Sequence, residues 1–152
     1  MDALAKDFDG AGPTVTDAKT KAGDRWVPMT AKALVILKRR AQGKAGSEPL
    51  WPEYPPAALD GRRSHAASKR WLRWKRQAVA ATQVDFHSLR RYWITKAEEC
   101  GIDAVTMARL VGHSMPVWTL ATYSRGQKKD KLVKAAKKVA ALIDKSLSQQ
   151  SS

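Results

Sequence analysis

Residues 85–95 read DFHSLRRYWIT, and the spacing places His87, Arg90 and Arg91 on one turn of a helix, at i, i+3 and i+4. Arginine offers a planar fork matched to two phosphate oxygens, and histidine can relay a proton near neutral pH. A second histidine, His113, follows Gly112, a residue that stops a helix and lets the chain turn back to present the imidazole. Tyr123 comes next, in TYS. A tyrosine hydroxyl becomes a useful nucleophile when a base takes its proton and nearby cations favour the phenolate. Together these residues suit attack on a phosphodiester, which would leave a phosphotyrosine and conserve the bond energy for rejoining.

Singly, each residue has a plainer reading. His87 and Arg90 could be a solvated helix face, His113 a turn residue and Tyr123 a half-buried aromatic. A zinc site from His87, Cys100 and His113 is disfavoured, because no pair has a ligand spacing of the CxxC or HExxH kind. No metal and no cofactor is expected.

The elements that must position these residues can be read from periodicity and punctuation. TVTDAK and RWVPM flank Ala22-Gly23-Asp24 and predict a β-hairpin. Thr30 caps a helix AKALVILKRRAQ that Gly43 ends, and a long connection with four prolines follows. Residues 66–81 predict a second helix, with Trp71 and Trp74 as core anchors. The helix bearing His87 has an apolar stripe of Phe86, Leu89, Trp93, Ala97 and Cys100, with Gly101 just past its end. Asp103 caps AVTMARLV, stopped by Gly112, and Ser114 and Pro116 open VWTLATYS. The last helix, DKLVKAAKKVAALIDKSL, carries Leu132, Ala136, Val139 and Ile143 on one face. The expected fold is mostly α, an α+β chain with one small antiparallel hairpin.

The chain has 152 residues, enough for one domain with a real core. Its 28 Lys and Arg against 14 Asp and Glu give a formal charge of +14, which favours a polyanionic partner. Nucleic acid leads on that ground, and an anionic membrane surface comes second. Residues 61–84 hold seven cations and no acid, and of these Lys69, Arg70, Arg73 and Arg76 are candidate phosphate contacts. No apolar run approaches the about 18 residues of a membrane span, and the N-terminus lacks a secretory pattern. The single cysteine, Cys100, fits a reducing compartment, so a cytoplasmic location is expected.

The run FHSLRR…GIDAVTMARLVGHSMPVWTLATYS closely resembles the catalytic core of the tyrosine recombinases, the phage-integrase family. The family's HxxR motif matches His87–Arg90, its GH motif Gly112–His113, and its nucleophile Tyr123. DAKTKAGDRWVPM is similar to the family's lysine hairpin, with Lys19 matching the catalytic lysine and Lys21 the alternative. The resemblance spans Val15 to Ser124. It implies a helical DNA breaking-rejoining core, bacterial or phage-encoded, that acts on double-stranded DNA through a 3′-phosphotyrosine. Tyr123 would attack, Arg90 would bind the non-bridging oxygens, Lys19 would protonate the leaving 5′ oxygen, His87 would assist proton transfer and His113 would hydrogen-bond the phosphate. Arg91 and Lys21 would join the DNA contacts.

The family has a further catalytic arginine upstream of the lysine hairpin and an N-terminal DNA clamp. Neither has a counterpart here, since no arginine precedes Arg25. The expected organisation is a flexible segment at 1–13, a truncated integrase catalytic domain at 14–126, and an amphipathic C-terminal helix and tail at 127–152. By itself such a chain is expected to be a poor recombinase. The tail could pack on its own core or on a neighbouring protomer, which leaves self-association on DNA open. The competing functions are a non-catalytic DNA-binding module of the same fold and a type IB topoisomerase-like enzyme.

Overall fold

The computed structural model describes residues 4–16, 24–61, 63–78, 83–113 and 129–150. Among them the chain is mostly helical, with a single two-stranded antiparallel sheet. The strands are β1 (Thr14–Val15) and β2 (Arg25–Trp26), paired Thr14 to Trp26 and Val15 to Arg25. The helices are α1 (Ala31–Ala41), α2 (Ser64–Ala78), α3 (Phe86–Glu99), α4 (Ala104–Val111) and α5 (Lys129–Gln150). No helix among the described residues is long and apolar enough to cross a membrane.

The capping residues act as their types dictate. Thr30 accepts a hydrogen bond from the Ala33 amide at 3.3 Å and opens α1. Asp85 accepts from the Ser88 amide while Ser88 accepts from the Asp85 amide, a reciprocal box that starts α3. Asp103 accepts from both the amide and the hydroxyl of Thr106, at 2.9 and 2.7 Å, and starts α4. Helices α3 and α4 both end on a glycine in the left-handed region, Gly101 at φ 65° and Gly112 at φ 70°. In each case the residue after the glycine donates back five positions: Ile102 to the Ala97 carbonyl and His113 to the Ala108 carbonyl.

The core forms where α3, α4 and α5 meet. Ala97 comes from α3, Val105, Ala108, Leu110 and Val111 from α4, and Ala135, Ala136 and Val139 from α5. The small residues allow close approach of the backbones, so burial here depends on fit more than on side-chain bulk. The α5 stripe matches its predicted face, with Ala136 and Val139 buried and Leu132 and Ile143 half-buried. Within the chain this helix packs against α3 and α4. Polar ties reinforce the packing: Lys131 pairs with Asp103 at 3.0 Å and Lys138 donates to the Cys100 carbonyl at 2.6 Å. At the start of α5, Lys129 pairs with Asp9 at 3.1 Å and lies 4.7 Å over the Trp26 ring.

Four expectations are corrected. Residues 4–13, expected to be loose, are held: the Ala5 and Lys6 amides donate to the Glu48 and Gly46 carbonyls, and Asp9 accepts from the amides of Ala11 and Gly12. Only the C-terminal half of the α3 stripe reaches the core, since Phe86 and Leu89 are each half exposed while Ala97 is buried. Trp71 and Trp74 are not core anchors. Trp74 is half exposed and leans on Trp71, which stacks on Phe86 at 4.6 Å, in a surface aromatic run. The predicted helix at 66–81 starts earlier, at Ser64. The segment VWTLATYS lies outside the described residues.

Burial opposes the charge on Asp103, but the Thr106 hydrogen bonds and the Lys131 ammonium outweigh it and bring the carboxyl from 3.8 down to about 2. A carboxyl lowered on folding stabilises above its unfolded pKa and loses that contribution as pH falls through the folded value. Asp103→Ala is expected to cost about 1 kcal/mol in urea unfolding at neutral pH through loss of the cap. Asp103→Asn keeps a capping oxygen, and should instead flatten the fall in stability between pH 4 and 2.

Candidate functional site

Helix α4 is eight residues long, and its last carbonyls carry the negative end of the helix dipole. Two arginines from distant parts of the chain converge on them. Arg25, on β2, donates from Nε to the Leu110 carbonyl at 3.0 Å. Arg90, in the middle of α3, donates from Nη2 to the Val111 carbonyl. Gly112 follows at once, and its left-handed backbone turns His113 out to solvent. The HxxR arginine and the GH turn, 21 residues apart from Arg90 to Val111, are thus joined by a direct hydrogen bond.

This arrangement concentrates positive charge. Burial, and then the neighbouring charge of Arg90, push the Arg25 guanidinium below its ordinary value. An anion placed at the pair would relieve that repulsion. Arg90 is half-buried, and a guanidinium has five N–H donors, so the carbonyl does not exhaust it. Both arginines line a crevice of about 720 Å3 whose walls include Val27, Pro28, Trp93 and, from α5, Ala136 and Ala140. These apolar walls lower the local polarity and strengthen any charge-assisted hydrogen bond made there.

The structure sorts the predicted residues. Arg90 and His113 belong to one turn of structure. His87 is exposed one turn before Arg90 and lines a different hollow, with Ser68, Trp71, Leu72 and Phe86. Arg91 does not stand beside Arg90. It folds along its own helix, donating to Ser88 Oγ at 3.0 Å and lying 3.7 Å from Asp85. The Ser88 hydrogen bonds, followed by the charges of Arg91 and His87, hold the Asp85 carboxyl below its usual range. Lys69, Arg70 and Arg73 share a crevice on α2, and Arg76 is exposed on the same helix. Lys19, Lys21 and Tyr123 lie outside the described residues.

Sequence reasoning missed Arg25. A signal was present: it begins the R-x-V-P segment, on a strand two residues long whose partner is the apolar Val15. Its acceptor lies 85 residues away, a separation that no local pattern records. Comparison of the chain with protein-family models, with curated proteins and with solved structures gives no match.

If Arg25 and Arg90 form an anion site, inorganic phosphate should raise the thermal unfolding midpoint more than chloride at equal ionic strength. Arg90→Ala and Arg25→Ala should each remove that excess. A midpoint that rises equally for all three proteins would show that the anion acts elsewhere.

Proposed function

We propose that this chain takes part in site-specific DNA recombination, cleaving and rejoining strands through a 3′-phosphotyrosine as tyrosine recombinases do. The observation that carries the reading is the hydrogen bond from Arg90 to the carbonyl beside the GH turn. It brings together two of the motifs on which the resemblance rests, and it does so at a pair of arginines rather than on a neutral surface.

In this reading Arg90 grips the non-bridging oxygens of the scissile phosphate, and Arg25 supplies the second positive charge. Such preorganised cations act most strongly on the pentacoordinate state, where the phosphoryl oxygens gain charge. The Tyr123 oxygen forms the new bond to phosphorus and the bond to the 5′ oxygen breaks. The proton from tyrosine goes to a base, a role that the resemblance gives to His87 although His87 lines a separate hollow here, and Lys19 delivers one to the leaving oxygen. His113 donates to the phosphate from the turn that Gly112 makes. The cations of α2 contact flanking backbone and give a salt-dependent, sequence-tolerant share of the affinity.

The test is a covalent adduct. The chain is incubated with a library of nicked duplexes, in which cleavage releases a short strand and traps the intermediate, and protein-bound DNA is scored on a denaturing gel. A slow, low-yield adduct is expected, as befits a poor recombinase, absent in Tyr123→Phe and reduced about 100-fold or more in Arg90→Ala. Salt-dependent duplex binding without any adduct would instead favour the non-catalytic DNA-binding module. An adduct that persists in Tyr123→Phe would displace Tyr123 as the nucleophile.

A further inference from the structure

A second surface has a chemistry that backbone contact with a duplex does not use. Between α2 and the proline-rich connection before it lies a crevice of about 520 Å3, lined by Glu53, Tyr54, Lys69, Arg70, Arg73 and Trp74. Its charge is positive. Residues 64–78 contain no acid, and Lys69 and Arg73 have no acidic partner among the described residues. The one carboxylate on the wall, Glu53, is engaged by Arg40 at 2.7 Å. The Arg70 guanidinium carbon lies 5.9 Å from the centre of the Tyr54 ring, so this cation is already stacked on an aromatic.

The rings are as informative as the charges. Trp74 is 50% exposed, although a buried indole removes a large apolar area from water. It is supported from behind: its ring centre is 5.0 Å from that of Trp71, which stacks on Phe86 at 4.6 Å with the planes 26° apart. A half-exposed indole that leans on Trp71 with the planes 37° apart, beside three cations, is a stacking platform within a polyanion site. The bases of an intact duplex have their faces covered by one another, so a duplex could engage the cations and leave Trp74 idle. An unpaired strand offers both a phosphate chain and open base faces.

We propose that this crevice binds unpaired nucleic acid, with a base stacked on Trp74 and the adjoining phosphates met by Lys69, Arg70 and Arg73. The site is separate from the Arg25–Arg90 pair and stands whether or not the chain forms a phosphotyrosine.

The experiment measures fluorescence anisotropy of a labelled oligothymidylate and of a blunt hairpin duplex with the same number of phosphates, titrated with the full chain. Tighter binding of the single strand is expected. Trp74→Ala should weaken it about 10-fold and leave duplex affinity unchanged, and Trp74→Phe, which keeps a ring, should restore most of the loss. Lys69→Ala and Arg73→Ala should weaken both probes and lower the salt dependence of each by about one ion per cation removed. Circular dichroism of each variant checks that α2 remains folded. Equal affinity for the two probes would overturn the proposal, as would a single-strand affinity indifferent to Trp74→Ala. Trp74-dependent binding to phosphatidylserine vesicles in preference to either oligonucleotide would also overturn it, and would assign the surface to a membrane. Arg90→Ala provides the separation from the strand-transfer reading: loss of the covalent adduct with single-strand binding intact leaves this inference standing alone.

Discussion

Two guanidinium groups closing on the carbonyl end of α4 form the contact on which the rest of the site depends. Helix ends leave four carbonyls without intrahelical partners, and a buried carbonyl left unpaired is costly. Leu110 and Val111 are buried residues, so their carbonyls need donors from elsewhere in the chain. Arg25 and Arg90 supply them. A cation at the negative end of a helix dipole is also electrostatically favoured, which offsets part of the repulsion between the two arginines. One contact therefore caps a helix, joins β2 and α3 to it, and leaves a concentrated positive charge at the surface of the crevice.

The rest of the three-helix core holds that contact in place. Ala97, Ala108, Ala135 and Ala136 let α3, α4 and α5 pack at short range, and their lack of rotamer freedom means that little side-chain entropy is lost on burial. Long lysines make the connections that the small residues cannot. Lys131 reaches the cap of α4, Lys138 reaches the C-terminal carbonyl of α3, and Lys129 reaches Asp9 in the N-terminal segment. These are exposed or part-exposed pairs, each of small individual worth. Their common effect is to set how α5 lies across the other two helices.

What could be read from the sequence follows the range of the interactions involved. Thr30, Asp85 and Asp103 act within three residues of themselves, and Gly101 and Gly112 act on the turn they end, so local pattern locates the helices well. The spacing of His87 and Arg90 correctly placed both on α3, yet it could not tell that they face different hollows, because that depends on where α2 and α5 lie. Periodicity marked Phe86 and Leu89 as one apolar face with Ala97, but a face is not a core until something covers it. Residues 4–13 are held by amides donated to residues 46 and 48, and Arg25 by a carbonyl 85 residues away. Neither pairing leaves a trace in local composition. The tie between HxxR and GH was implied by resemblance alone, and it is a distance in space rather than a spacing in sequence.

Helix α4 is fastened at both ends, by Asp103 with Lys131 at its start and by Arg25 and Arg90 at its finish. It therefore behaves as a spacer of fixed length. Each residue of an α-helix advances about 1.5 Å and turns about 100°. Inserting or deleting one residue between Asp103 and Gly112 would swing His113 by more than a quarter of a circle and pull the last carbonyls off both arginines. Substitution within this segment has room for change wherever size is kept, whereas any change in its length would detune the GH turn from Arg90. The eight-residue span of α4 is thus as much a part of the candidate site as the side chains it presents.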